Sequence, residues 1–260
     1  MSKGVADTGP RRDLRTGTPI RRVEKTMYEP PDWSRAHAVI FDVDGTLYDA
    51  ARLRRRMLVA LVAHCLADPR RLSDLRTLHL YRREREKLAE AESTDILRRQ
   101  YERPARLLGL APREVEAIVQ QWIHQRPLPY LRQCRVDGAG QFFDWIRSSG
   151  GTVAVLSDYP AKAKLDALDL AADVIVCGTD PDVNRLKPHP GGLEALLRRL
   201  DVHPSDCILV GDRDSRDGEV ARRAGVPYVL RRRDNRLSGR TFSDFIELLA
   251  RASRTRPRDS

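Results

Sequence analysis

Residues 41–49 read Phe-Asp-Val-Asp-Gly-Thr-Leu-Tyr-Asp. Asp42 and Asp44 stand two apart at the end of a short apolar run. In extended chain such side chains point the same way, so the pair can work as one site. Gly45 lets the chain turn sharply straight after them. One carboxylate can attack as a nucleophile while its neighbour moves protons, and together they can hold a hard divalent cation through oxygen. An Asp-Gly pair alone would make a helix-capping turn. The second carboxylate, Thr46 and the apolar run before them favour chemistry instead.

Three further groups follow short apolar runs or sit in loops between them. Ser157 closes the run that begins at Thr152, Lys187 lies in Arg185-Leu186-Lys187-Pro188, and Asp212 and Asp217 lie in Gly211-Asp212-Arg213-Asp214-Ser215-Arg216-Asp217-Gly218. A hydroxyl, an ammonium and a second acidic pair are what a phosphoryl-transfer site requires. Singly each is a common loop or cap residue; their order and shared placement carry the signal. Asp214 competes with Asp217 for the second acidic role, and only spacing favours Asp217.

The elements that must hold these groups are legible in outline. Ala38–Phe41, Thr152–Leu156, Val174–Cys177, Cys207–Val210 and, more weakly, Tyr228–Leu230 are strand-like, with helical spacing between them after residue 137. Strands alternating with helices predict parallel βαβ units, an α/β fold with a doubly wound, Rossmann-like parallel sheet. Ligands of such sheets bind at the strands' C-terminal ends. Residues 51–136 break the rhythm: they hold no strand-like run and four helical ones, with Pro69, Pro104 and Pro112 at junctions. The predicted organisation is a flexible basic tail over 1–35, a catalytic core over 36–50 and 137–250, an all-helical insertion over 51–136, and a disordered basic tail over 251–260.

Composition narrows the classes. The chain has 260 residues, 41% of them hydrophobic, which is enough to bury a core without disulfide or metal staples. Four scattered cysteines and no run of 18 or more apolar residues predict a reduced, soluble, cytoplasmic protein without a membrane segment. The net charge of +10 is uneven: the insertion carries +9, whereas the core outside the basic segment 231–240 carries −9. An acidic core beneath a basic insertion suits a small anionic ligand drawn toward a cation site.

These segments resemble the signature motifs of the haloacid dehalogenase superfamily of aspartate-dependent phosphohydrolases: D-x-D-G-T-L, then S-D, K-P and G-D-x-x-x-x-D, over about 38–230. The resemblance implies that Asp42 is the nucleophile, forming an aspartyl-phosphate, and that Asp44 is the general acid and then the base. Ser157 and Lys187 would hold the phosphoryl oxygens and balance charge, with Thr46 and Asp158 beside them. Mg²⁺ would be bound by Asp42, Asp212 and the backbone carbonyl of Asp44, with Asp217 orienting a metal water or Lys187. Dehalogenases of the superfamily lack the carboxylate two residues after the nucleophile, so Asp44 favours phosphatase chemistry.

The insertion stands where this superfamily places its C1 cap, which implies a small soluble phosphomonoester as substrate. Arg52, just after the first motif, is the candidate for gripping a second anionic group. Arg82-Arg83-Glu84-Arg85-Glu86-Lys87 reads as a solvated face laced with ion pairs, and His124 reads as structural. A phosphosugar mutase would use the same residues. A polynucleotide-end phosphatase or nucleic-acid binder would use the basic tails, for which the chain carries no recognition motif. Oligomeric state is not legible.

Overall fold

The computed structural model describes residues 30–68, 72–232 and 240–255. Within the first strand, β1 (Ala38–Phe41), alternate side chains enter different cores. Val39 and Phe41 join a cluster with Phe142, Phe143 and Trp145, whereas Ala38 and Ile40 join one with Leu193, Leu196 and Val220. The same alternation runs through β2 (Thr152–Ser157) and β4 (Cys207–Gly211). A strand buried on both faces has no polar side to show, which is why these segments read as continuous apolar runs.

With β3 (Val174–Cys177), β5 (Tyr228–Arg231) and β6 (Thr241–Phe242), the strands form one parallel sheet in the order β3-β2-β1-β4-β5-β6. Five follow the predicted runs. β6 adds an edge of two residues, pairing Leu230 with Thr241 and Arg231 with Phe242, too short for any period to reveal.

Among its described residues, the insertion after β1 holds five α-helices: α1 (Ala50–Ala67), α2 (Leu72–Glu90), α3 (Ile96–Leu108), α4 (Pro112–Val119) and α5 (Leu128–Cys134). Asp49 caps α1, its side chain accepting from the N–H groups of Ala51 and Arg52 at 2.9 and 2.8 Å. Around Tyr81, Ala105, Val115 and Val119 the middle helices form a small core of their own. α4 runs on into a π-helical turn, Gln120–Gln125. The remaining helices are α6 (Ala139–Ser148), α7 (Lys162–Ala167), α8 (Gly191–Leu200), α9 (Glu219–Ala224) and α10 (Phe245–Thr255).

Several boundaries differ from the sequence expectation. Leu53 of α1 and Leu131 and Cys134 of α5 belong to the β1 core cluster, so the two ends of the insertion pack with the sheet domain. α5 makes a fifth helix, and Pro104 lies inside α3 instead of at its end. Trp33, placed in the tail by composition, is buried edge-on against Phe142 at 5.5 Å and Trp145 at 6.3 Å. At the other end α10 continues to Thr255 with Ala252 buried, so the segment drawn as a tail from 251 begins inside a helix. Pro69 and the tail residues 1–29 and 256–260 lie outside the described residues. Among the described residues, no helix is long and apolar enough to cross a membrane.

Candidate active site

β1 lies between β2 and β4, so the chain segments leaving the C-terminal ends of these three strands emerge side by side at the point where the strand order reverses. This brings Asp42, Ser157 and Asp212 to one place although they are far apart in sequence. Asp42 directly follows β1, and its N–H donates to Val210 O of β4 at 2.9 Å. Gly45, with φ of +101°, turns the chain back over the strand end. A Cβ there would stand 2.2 Å from Asp212 Oδ2, so the turn needs glycine for both conformation and space.

Lys187 organises the deepest part. Its ammonium donates to Asp42 Oδ1 at 2.5 Å and to Asp217 Oδ1 at 2.6 Å, and all three groups are buried. The Lys187 N–H donates to Asp158 Oδ1 at 2.9 Å, which pins the loop that carries it; the Lys187–Pro188 peptide is cis. Burial works against the Lys187 charge, but Asp217 and Asp42 outweigh it and raise its pKa. Asp217 Oδ2 accepts from the N–H groups of Asp212 and Arg213 at 3.1 and 3.0 Å. Asp217 thus ties Lys187 to the end of β4. Asp214 faces elsewhere, pairing with Arg222 at 2.9 Å and accepting from Tyr228 at 3.1 Å, which separates the two acids that spacing alone leaves in competition.

Thr46, fully buried, donates to Asp42 Oδ2 at 3.1 Å. Ser157 ends β2 with its hydroxyl accepting from the Tyr159 N–H at 3.2 Å. Asp44 has different company: Lys164 Nζ of α7 donates to both its oxygens, at 2.5 and 2.7 Å, and Tyr48 donates to Oδ1.

The two carboxylates are therefore held apart electrostatically. Burial pushes the Asp42 carboxyl well up; Lys187 opposes this, and Asp217, Asp212 and Asp44 add to it. Burial also acts on Asp44, but the Lys164 ammonium and the hydrogen bonds from Lys164 and Tyr48 prevail and lower it below the ordinary carboxylate range. Burial, with Asp217 next in weight, lifts Asp212 to about 6.

Oxygens of Asp42, Asp212 and Asp217 lie within 4.8 Å of one another. Across the site the carboxylates of Asp42, Asp44, Asp212 and Asp217 outnumber the two ammonium groups bonded to them, Lys187 and Lys164, with the Arg213 charge also acting on Asp212. An all-oxygen donor set with that excess fits a hard divalent cation. Asp217 is already engaged by Lys187 and two N–H groups and Asp42 by Lys187 and Thr46, so a cation held by Asp42 and Asp212 would share the Asp42 oxygens with these hydrogen bonds.

Not every expected residue arrives. The Arg52 side chain is 62% exposed and pairs with Asp49 at 3.6 Å, and none of the hydrogen bonds described for the four carboxylates comes from it. Conversely, Arg85 and Glu84 are buried within the segment that reads as a solvated face. Glu86 of α2 pairs with Arg213 at 3.3 Å and with Arg216, and Arg216 also donates to the carbonyl of Lys187. Lys164 and Arg85 lie outside the motifs, and Tyr159 and Arg216 stand at positions beside or within them that the motif patterns leave unspecified. For Arg85 one sign exists: it stands four residues after Tyr81 and three before Leu88, on the buried stripe of α2.

A model of haloacid dehalogenase-like hydrolases matches residues 36–225. The chain belongs to that family. Among curated relatives of this haloacid dehalogenase-like hydrolase, a phosphoglycolate phosphatase of Xylella fastidiosa (strain 9a5c) is 28% identical over 208 residues, 78% of this chain and 83% of that one. Solved structures share the fold. A 2-haloacid dehalogenase from Pseudomonas syringae pv. Tomato DC3000 superposes with a TM-score of 0.56 at 21% identity, covering 84% of this chain and 99% of the other. The HAD-hydrolase YfnB from Bacillus subtilis, solved with magnesium bound, gives 0.58 at 16% identity, covering 84% and 99%.

Proposed function

We propose that this hydrolase is a Mg²⁺-dependent phosphatase of small phosphomonoesters, working through an aspartyl-phosphate on Asp42. One observation carries the reading: two carboxylates at a single strand end are held by different lysines, Asp42 by Lys187 and Asp44 by Lys164. The two acids thus have separate surroundings; because burial raises Asp42, Lys187 and a bound cation would have to hold it ionised for attack. The similarity to a phosphoglycolate phosphatase over 78% of this chain supports phosphatase over dehalogenase chemistry, as does the presence of Asp44.

An Asp42 oxygen attacks phosphorus and the bond from phosphorus to the ester oxygen breaks. Asp44 gives its proton to the departing alkoxide. The phosphoryl group's negative charge near Asp44 raises its affinity for that proton in the bound state. In the second half Asp44, again a carboxylate, takes a proton from water while the water oxygen attacks phosphorus, releasing inorganic phosphate and restoring Asp42. Lys187, and Ser157 at the adjoining strand end, would stabilise the charge on the transferring oxygens. Asp42, Asp212 and the Asp44 carbonyl would hold Mg²⁺, which supplies neutralisation of phosphoryl charge when bound.

The direct test is a panel of phosphomonoesters with Mg²⁺, beside Asp42→Asn. Phosphate release by the native protein and none by the variant is expected. Absence of turnover across the panel would remove the reading.

A further inference from the structure

Helix α1 is apolar on two sides. On its inner side Leu53 is buried, Met57 packs on the β1 core cluster, and the His64 ring meets Trp122 edge-on with centroids 4.8 Å apart. On its outer side Val59, Val62 and Leu66, spaced by three and four residues, fall on one stripe with Leu58 beside it. These four are 71%, 50%, 79% and 60% exposed, and Leu72 at the start of α2 is 56% exposed. Five of the eight large apolar side chains exposed among the described residues therefore gather on α1 and the first residue of α2. A helix apolar all round belongs in a buried setting, and a gathered patch of this kind marks a contact surface.

Charge indicates what covers it. Arg54, Arg55 and Arg56 are exposed in the N-terminal half of the same helix, and among the described residues no carboxylate pairs with them; Arg52 beside them pairs with Asp49. Arg55 stands four residues before Val59, on the apolar stripe itself. From residue 50 to 73 the sequence holds six arginines and one acid, Asp68. A second copy of this face would therefore add like charge instead of complementing it. The N-terminal segment 1–29, with seven basic and four acidic side chains, fails in the same way. The cover must be anionic outside and apolar within. A bilayer with acidic headgroups has that profile, and being fluid it takes a protruding helix without a preformed groove. A helix lying in its surface buries the apolar stripe at the boundary of headgroups and acyl chains. Its arginine stems run along the apolar layer and keep their guanidinium groups among the phosphates.

We infer that the outer face of α1, Leu58, Val59, Val62 and Leu66 with Arg54, Arg55 and Arg56, docks this protein on the surface of anionic membranes. The contact is peripheral, since no described helix is long and apolar enough to cross a membrane. None of these residues takes part in the active site, so the inference stands or falls apart from the phosphatase reading.

Cosedimentation of the full chain with vesicles tests it, using phosphatidylcholine alone and equal parts of phosphatidylcholine and phosphatidylglycerol. The native protein should bind the anionic vesicles about tenfold or more tighter than the neutral ones, and lose most of that preference as salt rises. Val59→Gln with Leu66→Gln removes apolar contact without altering charge and should weaken binding to the anionic vesicles by about tenfold or more. Arg55→Gln with Arg56→Gln should weaken it by a similar factor, each charge near the surface being worth about fivefold. Ile246→Gln, at a position 58% exposed on α10, should bind as the native protein does. All these side chains are exposed, so the melting temperatures should agree. No binding of the native protein to the anionic vesicles overturns the proposal. Undiminished binding by Val59→Gln with Leu66→Gln also overturns it, because that variant keeps every basic segment of the chain. Sedimentation equilibrium without lipid covers the remaining case: a native dimer that the same two substitutions make monomeric would show that a second copy covers the face, and the proposal would fail.

Discussion

The Lys164 ammonium lies 2.5 and 2.7 Å from the two oxygens of Asp44, joining residues 120 positions apart in sequence. If Lys164 acts by holding that carboxylate, its loss should be felt only through Asp44. Asp44→Asn is expected to lower kcat by about 10²–10⁴, the usual worth of general acid–base catalysis. Lys164→Gln should cost less, about tenfold, and the double variant should be no slower than Asp44→Asn alone. Multiplying losses in single-turnover kinetics would show instead that Lys164 has an independent role.

The excess of buried carboxylates predicts that Mg²⁺ stabilises the fold. Asp212, lifted to about 6 by burial and Asp217, favours folding when protonated, and that contribution is lost as pH rises through its folded value. Near neutral pH without metal, Asp212→Asn should therefore melt above the native protein. Added Mg²⁺ should raise the native Tm and barely move the variant's. Thermal melts with and without chelator check this; an equal Mg²⁺ response in both proteins would contradict it.

His124 carries the opposite sign. Burial, Lys164 and Arg85 lower its pKa from 6.5 to about 4, so the folded protein binds fewer protons than the unfolded chain between these values. Its contribution to stability is full above 6.5 and lost as pH falls through about 4. His124→Gln cannot titrate, so its Tm should gain on that of the native protein over this window. Parallel Tm curves would place the imidazole in water.

Glu86 bridges the insertion to the loop after β4 through Arg213 and Arg216, and Arg216 also holds the Lys187 carbonyl. Because the Glu86 side chain is 51% exposed, Glu86→Gln should alter global stability little, within about 1 kcal/mol. It should speed amide exchange locally in the C-terminal half of α2 and lower kcat/KM severalfold. Unchanged exchange there would show that the apolar contacts of Leu88, Ala89 and Ile96 with Leu186 alone hold the two parts together.

Much of this site is legible in the order of the amino acids alone. Asp42, Asp44, Lys187 and Asp212 each follow or face a buried strand, and such strands announce themselves as apolar runs. What escapes depends on pairing across long separations. Arg85 meets the Asp158 carbonyl 73 positions away, and its charge hides it inside a run of charged residues although it shares the buried stripe of Tyr81 and Leu88. Arg52 is exposed beside its capping partner Asp49, so its nearness in sequence to the first motif does not by itself bring it onto the carboxylates. β6 is missed because two residues show no period, and Trp33 because a single anchoring aromatic does not change the composition of the segment around it.

The central claim is a covalent phosphoryl group on Asp42. Rapid quenching of the native protein mid-turnover, followed by borohydride reduction, converts an aspartyl-phosphate to homoserine, and peptide mass analysis locates it. Homoserine is expected at position 42, and none in Asp42→Asn or without substrate. Steady phosphate release with Asp42 recovered unmodified at every quench time, or undiminished release by Asp42→Asn, would contradict it.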